Sequence, residues 1–172
     1  RYTIDSHAND EWVTIGQELN HIEKYMQIMK FRLARITWSI EVPEEYVHVK
    51  IPKLLIQPLV ENAIIHGVSN KVGQGVIAVS IDKSNDPRFL ICKIQDNGKG
   101  MDRETLKKIN CLIEDEVVSP TFRSGIGLAN VHKRLKIYYQ NDDIHRLHIS
   151  SSVNEGTCFS FQIPVNGGNV HA

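Results

Sequence analysis

Near the start of the chain, apolar residues recur at alternating steps of four and three. The members of this seam are Ile15, Leu19, Ile22, Met26, Met29 and Leu33. Such spacing is typical of one face of an α-helix, and Thr14 with Gln17 makes a capping box in front of it. The seam either packs on the domain's own sheet or pairs with another helix in a dimer stalk. Periodicity alone does not separate the two.

Alternating apolar positions predict the strands. In the stretch ITWSIEV, residues 36–42, every second residue is apolar, so the apolar side chains lie on one face of a strand. The stretches GVIAVSID and RFLICKIQ, joined by the turn-forming KSNDP, indicate an antiparallel pair. Farther along, IHRLHISSS and TCFSFQIP, separated by VNEG, predict a closing hairpin.

Three further segments are predicted to be helical. The first runs from about Pro52 to His66 and is ended by Gly67; Pro58 inside it implies a kink or a late start. Asp102 is expected to cap a short helix that continues through about residue 112. Residues 113–125 show no periodicity and are expected to form a mobile loop, and the last helix is expected to start near Ile126.

Together these elements predict an α/β (α+β) two-layer sandwich, preceded by one long helix. Its sheet is mixed and largely antiparallel, with helices on one face. With 172 residues and 41% hydrophobic content, the chain can fill one core. No internal repeat divides it.

Charge and segment composition exclude several classes of function. Twenty basic and twenty acidic residues cancel, so no global field favours nucleic acid or an anionic membrane. No apolar run suggests a membrane span, and we expect no membrane contact by this piece. The chain starts at Arg1 in mid-pattern, without Met, so we expect a fragment of a longer parent, whose missing portion leaves room for membrane spans. Three unpaired cysteines favour a reducing compartment, with buried thiols rather than a disulfide framework or a zinc site.

Two glycine-rich stretches stand at the ends of regular elements. QDNGKGM, Gln95–Met101, follows a strand and precedes a helix, with Asp96 at the strand's end. SGIGLANV, Ser124–Val131, opens a helix whose free N–H groups can hold phosphate. Each is a weak signal alone, and neither is a Walker A loop. Their combination with an Asn on an earlier helix predicts a nucleotide site.

In this order the motifs resemble the GHKL nucleotide-binding domains of gyrase, Hsp90, histidine kinases and MutL. QPLVENAIIHG resembles the N box, DNGKGM the G1 box, and SGIGLANVHKRL the G2 box. The upstream ELNHIEKYMQIMKFRL is similar to that of LytS/YesM-type sensor histidine kinases. The resemblance implies a Bergerat-type ATP-binding catalytic domain at 36–172. It also implies that 1–35 is the end of a dimerisation and phosphoacceptor region.

Roles on the metal side of the site follow from the resemblance. Asn62 matches the residue that offers an amide oxygen to the Mg²⁺ ion bridging the ATP phosphates, and amide oxygen suits that ion. Glu61 is expected either to orient a water or a nucleophile or to face solvent. His66 is expected to line the pocket or to be packed structurally.

The adenine and phosphate sides are assigned in the same way. Asp96 matches the residue that accepts a hydrogen bond from the adenine amino group, where guanine would present a carbonyl. Gly98 and Gly100 shape the adenine side, and Gly125 and Gly127 bring backbone N–H groups to the phosphates. Arg123, in the expected ATP lid, either reaches a phosphate or is simply exposed. The expected nucleotide-binding set also includes Met101, Ile126 and Leu128.

The implied activity is transfer of the ATP γ-phosphoryl group to a histidine on an upstream helix. No matching acceptor motif occurs here, and His21 is interpreted as a helix-surface residue. The implied partners are the parent's own phosphoacceptor helix, a second copy of the parent and a response regulator. The parent would be a cell-membrane sensor with this domain in the cytoplasm.

Two departures from the family pattern keep alternatives open. Ile65 and His132 replace a Lys and an Arg and would remove positive charge near the phosphates. A degenerate, nucleotide-gated interaction module without phosphotransfer is therefore one alternative. A gyrase- or MutL-type ATPase is the other, although Pro58 occupies the position of its water-activating Glu.

Overall fold

The computed structural model describes residues 11–114, 123–140 and 144–167, and only the backbone at 123–126. The strands are β1 (Trp12–Thr14), β2 (Ile36–Glu41), β3 (Lys50–Pro52), β4 (Gly75–Lys83), β5 (Phe89–Asp96), β6 (His148–Ser152) and β7 (Gly156–Pro164). The helices are α1 (Ile15–Arg32), α2 (Gln57–Asn62), α3 (Arg103–Glu114) and α4 (Arg123–Tyr139). A 3₁₀ turn covers Glu44–Tyr46, and a π-helical turn, Ala63–Val68, continues α2.

The main sheet has five strands in the order β2-β4-β5-β7-β6. Only the β2–β4 pair is parallel, and the other neighbours are antiparallel. Alternate residues of β4, β5 and β7 are buried, so one face carries the core beneath the helices. The predicted two-layer α/β sandwich is confirmed. A second, two-stranded sheet, β1 with β3, was not predicted.

Helix α1 packs on its own domain. Four seam residues belong to the same core as the sheet: Ile15, Leu19, Ile22 and Met26. The Thr14 capping box is present, with Gln17 N donating to Thr14 Oγ1 at 3.1 Å and Thr14 N to Gln17 Oε1 at 2.9 Å. Met29 and Leu33 are partly buried and pack against the same core, so packing on the domain's own core describes the seam in this structure.

The helix predicted over Pro52–His66 has different bounds. Pro52 ends β3, and the helix begins at Gln57, because proline lacks the N–H that a helix interior needs and Pro58 fits only a first turn. Gly67 does not end it, since the π-helical turn runs to Val68 and Ser69 N donates to Ile64 O at 2.9 Å. Helix α4 begins at Arg123, slightly before the predicted Ile126.

Other local predictions are confirmed. Asp102 caps α3, with Thr105 N donating to Asp102 Oδ1 at 2.7 Å. The strand pair β4–β5 and the hairpin β6–β7 form as predicted, although β6 begins at His148. Most of the expected ATP lid, VSPTFRS at 118–124, lies outside the described residues, which omit 115–122. Among those that are described, no helix is long and apolar enough to cross a membrane.

Candidate nucleotide-binding site

A cavity of about 440 Å³ opens between the π-helical turn, the end of β5, α3 and the β6–β7 turn. Its volume lies in the range of small-molecule sites. It is lined by Asn62, His66, Gly67, Asp96, Lys99, Gly100, Met101, Asp102, Thr105, Ile109, Leu128, Val153, Asn154, Thr157 and Phe159. The predicted N-box and G1-box residues thus meet at one place.

Asp96 forms part of the cavity wall and is only 2% exposed. As the last residue of β5, it points toward the helices from the buried face of the sheet. Its Oδ1 accepts a hydrogen bond from Gly98 N at 2.7 Å. Burial raises the pKa of this carboxyl, and hydrogen bonds from the backbone N–H groups of Gly98 and Thr157 partly oppose the rise. The group is therefore a buried acceptor held in a defined orientation.

Two glycines of the G1 turn permit backbone contacts that a side chain would block. A Cβ at Gly98 would lie 2.2 Å from the carbonyl carbon of Gly67. Gly100 has a φ of +63°, and a Cβ there would lie 1.8 Å from Ser152 O. The turn is thereby packed between the π-helical turn on one side and the β6–β7 turn on the other.

Hydrogen bonds hold this turn on three sides. Asn97 Oδ1 accepts from Val76 N at 2.9 Å, and Lys71 Nζ donates to Asn97 O. Met101 N donates to Ser151 Oγ at 2.9 Å. Because the turn is tied to β4 and β6, the cavity wall beside Asp96 is largely preformed.

Asn62 ends α2 and faces the same cavity. Its Nδ2 donates to Pro58 O at 2.8 Å. The side-chain oxygen of Asn62 is the acceptor end of the amide, and it is the atom that could bind a cation. Helix α4 approaches closely at this point, since a Cβ at Gly127 would lie 3.5 Å from Asn62 Nδ2. The change from α to π geometry directly after Asn62 is of a kind often found at functional sites.

A magnesium ion would find few protein ligands here. Within the described ranges, no group of three His, Cys, Asp or Glu side chains could hold a metal ion. Mg²⁺ usually takes one or two protein oxygens and fills its shell with water and phosphate oxygens. The single amide oxygen of Asn62 fits that requirement.

The predicted site residues divide into three groups. Those that line the cavity are Asn62, His66, Asp96, Gly100, Met101 and Leu128. Gly98 lies behind the wall against Gly67, and Gly127 lies beside Asn62. Arg123, Gly125 and Ile126 form the backbone of the first turn of α4, but their side chains lie outside the described part of the chain.

Glu61 does not line this cavity. It accepts a hydrogen bond from Gln57 Nε2 at 2.9 Å on its own helix, and its charge raises the pKa of Tyr25 on α1, where burial acts more strongly. Successive helical residues point in different directions, so Glu61 and Asn62 face different surroundings. Its catalytic role stays a prediction that this geometry does not support.

His132 is buried outside the lining of the described cavity. It is only 6% exposed, accepts a hydrogen bond from Leu147 N at Nδ1 (3.4 Å), and is not part of the cavity lining. Ile65 is 53% exposed and also lies outside the lining. Neither residue lines the described cavity, and the loss of positive charge near the phosphates stays a prediction. The lining instead contains a cation, Lys99.

Sequence reasoning missed several lining residues. Lys99 stands between the two G1 glycines. The pKa of His66 is lowered mainly by the partial burial of His66 itself and, to a smaller extent, by the positive charge of Lys99. Thr157 pairs with Asp96 across β5 and β7, and its Oγ1 lies 2.9 Å from Ser151 Oγ. The position of Lys99 inside the DNGKGM motif could have indicated that it lines the cavity. The position of Thr157 follows only from the register of β5 and β7, which places it opposite Asp96.

Residues 48–167 match the family described as histidine kinase-, DNA gyrase B- and HSP90-like ATPase. The chain belongs to this ATPase family. The lining residues of the cavity lie within the matched range, and its assignment as the ATP-binding site stays a prediction. The narrower LytS/YesM-type assignment stays a prediction.

Relatives with assigned names support the kinase branch of the ATPase family. The sensor protein kinase HptS of Staphylococcus aureus strain USA300 is 34% identical over 171 residues, which are 99% of this chain and 31% of that protein. The HptS sequence of strain NCTC 8325 gives the same values. The chain thus spans about a third of the length of these relatives.

Solved structures share the fold. The catalytic domain of the histidine kinase ThkA superposes with a TM-score of 0.61 at 18% identity, over 89% of this chain and 93% of that one. The histidine kinase domain of the blue-light activated kinase from Erythrobacter litoralis gives 0.60 at 16% identity, over 89% and 62%. At these identities the superpositions speak for the fold alone.

Proposed function

We propose that this domain binds Mg-ATP and supplies the γ-phosphoryl group to a histidine of its parent sensor kinase. The observation that carries the proposal is the meeting of an amide on α2 and a buried carboxylate on β5 in one cavity. They match, in order, the metal-side and adenine-side residues of the resembled kinases. The 34% identical relative is itself named a sensor protein kinase.

Asp96 selects the base. A carboxylate accepts hydrogen bonds only, so it suits the amino group of adenine and repels the carbonyl that guanine presents there. One carboxylate oxygen is already held by Gly98 N. The chain therefore orients the adenine end with groups that need no rearrangement.

Asn62 and the start of α4 serve the phosphate end. Bound Mg²⁺ would neutralise charge on the phosphate oxygens, and Asn62 would hold it through the amide oxygen. The first turn of α4, which includes Gly125, offers backbone N–H groups to the phosphates. Phosphoryl transfer depends mainly on such positioning and charge neutralisation.

The acceptor and the later partners belong to the parent protein. We propose that the phosphoryl group passes to an imidazole on the parent's upstream helix within a homodimer, and then to a response regulator. We also propose that the parent is a cell-membrane sensor that carries this domain in the cytoplasm.

Nucleotide binding is tested by calorimetric titration of this chain with a nonhydrolysable ATP analogue, with and without Mg²⁺. We expect Asn62→Ala to remove the Mg²⁺-dependent part of the affinity. Asn20→Ala, an exposed asparagine on α1, is the matched control and should change nothing. An Asn62→Ala variant that keeps its full Mg²⁺ dependence would contradict the metal assignment.

Phosphotransfer is tested in the full-length parent with γ-labelled ATP. We expect acid-labile, base-stable label in the parent, its loss in Asn62→Ala, and no label on this chain alone. Binding without any phosphohistidine in the parent would favour a nucleotide-gated interaction module. Sustained ATP hydrolysis by this chain would favour an ATPase.

A further inference from the structure

One carboxylate lies on the buried face of α1. Glu18 is only 4% exposed and sits among the apolar seam residues that reach the core. A buried carboxylate destabilises a fold unless hydrogen bonds compensate it. The partners of Glu18 therefore indicate what it does.

Those partners are the first N–H groups of α2. Glu18 Oε1 accepts from Ile56 N at 2.8 Å and from Gln57 N at 3.1 Å, across a separation of 38 residues for Ile56. The N-cap residue of α2 is Ile56, which has no side-chain oxygen and makes no side-chain cap. Glu18 thus acts as the N-cap of α2 from a different helix, with its acceptor oxygen at the positive end of the helix dipole.

A charge on α4 also acts on this carboxylate. The positive charge of Arg134 acts on Glu18 and lowers its pKa, against the larger effect of burial, which raises it. The second oxygen, Oε2, is buried and makes no hydrogen bond within the described residues. Glu18 therefore caps the start of α2, and the end of α2 meets α4 where Gly127 lies close to Asn62.

A short helix transmits its position from one end to the other. Asn62 lies five residues after Gln57, so the cap and the cavity-facing amide are about 7.5 Å apart along the axis. With α2 covering only Gln57–Asn62, its start and its end move together. A shift of α1 at Glu18 is thus a shift of the Asn62 amide.

We propose that Glu18 is a positioning residue that sets the placement of the Asn62 oxygen in the nucleotide site. Through it, the segment that enters the domain is coupled to the metal-binding end of the cavity. The adenine end is also tied to β4 and β6 through Asn97 and Met101, so we expect it to depend less on this cap. The proposal rests on the proposed function, because it concerns the use of Asn62 as a Mg²⁺ ligand.

The test compares two ligands in Glu18→Ala and Glu18→Gln. One ligand is the Mg²⁺ complex of a nonhydrolysable ATP analogue, and the other is adenosine, which needs Asp96 but not Asn62. We expect Glu18→Ala to weaken the Mg²⁺ complex about fivefold, the factor of a typical N-cap, and adenosine less than about twofold. Glu18→Gln, which keeps an acceptor oxygen, should recover most of the lost affinity.

The matched control is Glu23→Ala. Glu23 lies on the same helix and accepts a hydrogen bond from Trp38 Nε1 at 2.9 Å, so its loss also removes a contact between α1 and the sheet but leaves α2 untouched. Its ratio of the two affinities should equal that of the native chain. An equal loss for both ligands in Glu18→Ala would overturn the proposal, since a purely structural role predicts it.

Hydrogen exchange provides a second readout that does not need ATP. In Glu18→Ala we expect faster exchange at the backbone amides of α2 and the π-helical turn, with β4 and β5 unchanged, and in Glu18→Gln a smaller effect at the same amides. Uniformly faster exchange would overturn the positioning role. If the native chain gains no affinity from Mg²⁺, the proposed function fails and the role at Asn62 fails with it, whereas localised exchange would still establish the cap.

Discussion

The substitution Asp96→Asn separates the effect of Asp96 on the stability of the fold from its effect on the affinity for the ligand. The carboxyl is 2% exposed, and burial raises its pKa more than the neighbouring N–H groups lower it. Its ionised form is therefore disfavoured in the fold relative to a neutral group of the same shape. Asparagine keeps one oxygen with two lone pairs for the N–H groups of Gly98 and Thr157, so we expect the variant to unfold at the same temperature as the native chain or a higher one.

The expected loss of binding follows from counting acceptors. A carboxylate offers about four acceptor lone pairs on two oxygens, whereas an amide offers two on one, and the N–H groups of Gly98 and Thr157 already use two. Adenine would then meet the N–H₂ group of the substituted side chain and lose a hydrogen bond to a charged acceptor, which is worth about 1.5–3 kcal/mol. Affinity for adenosine should fall roughly 10- to 150-fold.

Two measurements on one sample test the pair of expectations. Calorimetry with adenosine gives the affinity, and thermal unfolding gives the stability. The matched control is Asp82→Asn, an exposed carboxylate on β4, which should leave both unchanged. A loss of binding below about threefold, less than one hydrogen bond to a charged acceptor supplies, or a loss of stability in parallel with binding, would refute the reasoning.

Two further predictions concern backbone contact and pH. In Gly98→Ala the new Cβ would lie 2.2 Å from the backbone of Gly67, so urea unfolding should show that the free energy of unfolding falls by about 1–3 kcal/mol. The control is Gly127→Ala, where a Cβ meets only Asn62 Nδ2 at 3.5 Å, and it should show no loss of stability. Burial raises the pKa of Glu18 above its ordinary value of 4.5, so its contribution to stability is present below that pH and is lost as pH rises through the folded value. Native stability measured by urea should therefore fall relative to Glu18→Gln as pH rises from 4.5 toward neutrality, and a constant difference would contradict this.

Local patterns predicted most of the architecture. The capping box of α1 and the cap of α3 were correct because each bond joins residues three apart. The predictions of β4, β5 and β7 were correct because a strand with one buried face has an apolar residue at every second position. The errors lie at the boundaries of elements. For α2, both Pro52 and Pro58 suit the first turn of a helix, and only the tertiary structure shows that the helix begins at Gln57.

The sequence by itself determined the family and its central pair, Asp96 and Asn62, because each lies within a short motif of consecutive residues. Only the tertiary structure decided the contacts between distant segments. Glu18 caps a helix 38 residues away, Thr157 reaches the cavity through its register with Asp96, and His132 accepts a hydrogen bond from Leu147 N. No local rule encodes these contacts, since they depend on which elements pack together. The physical reason is that periodicity and capping act within a few residues, whereas a binding site is formed by side chains that folding brings together.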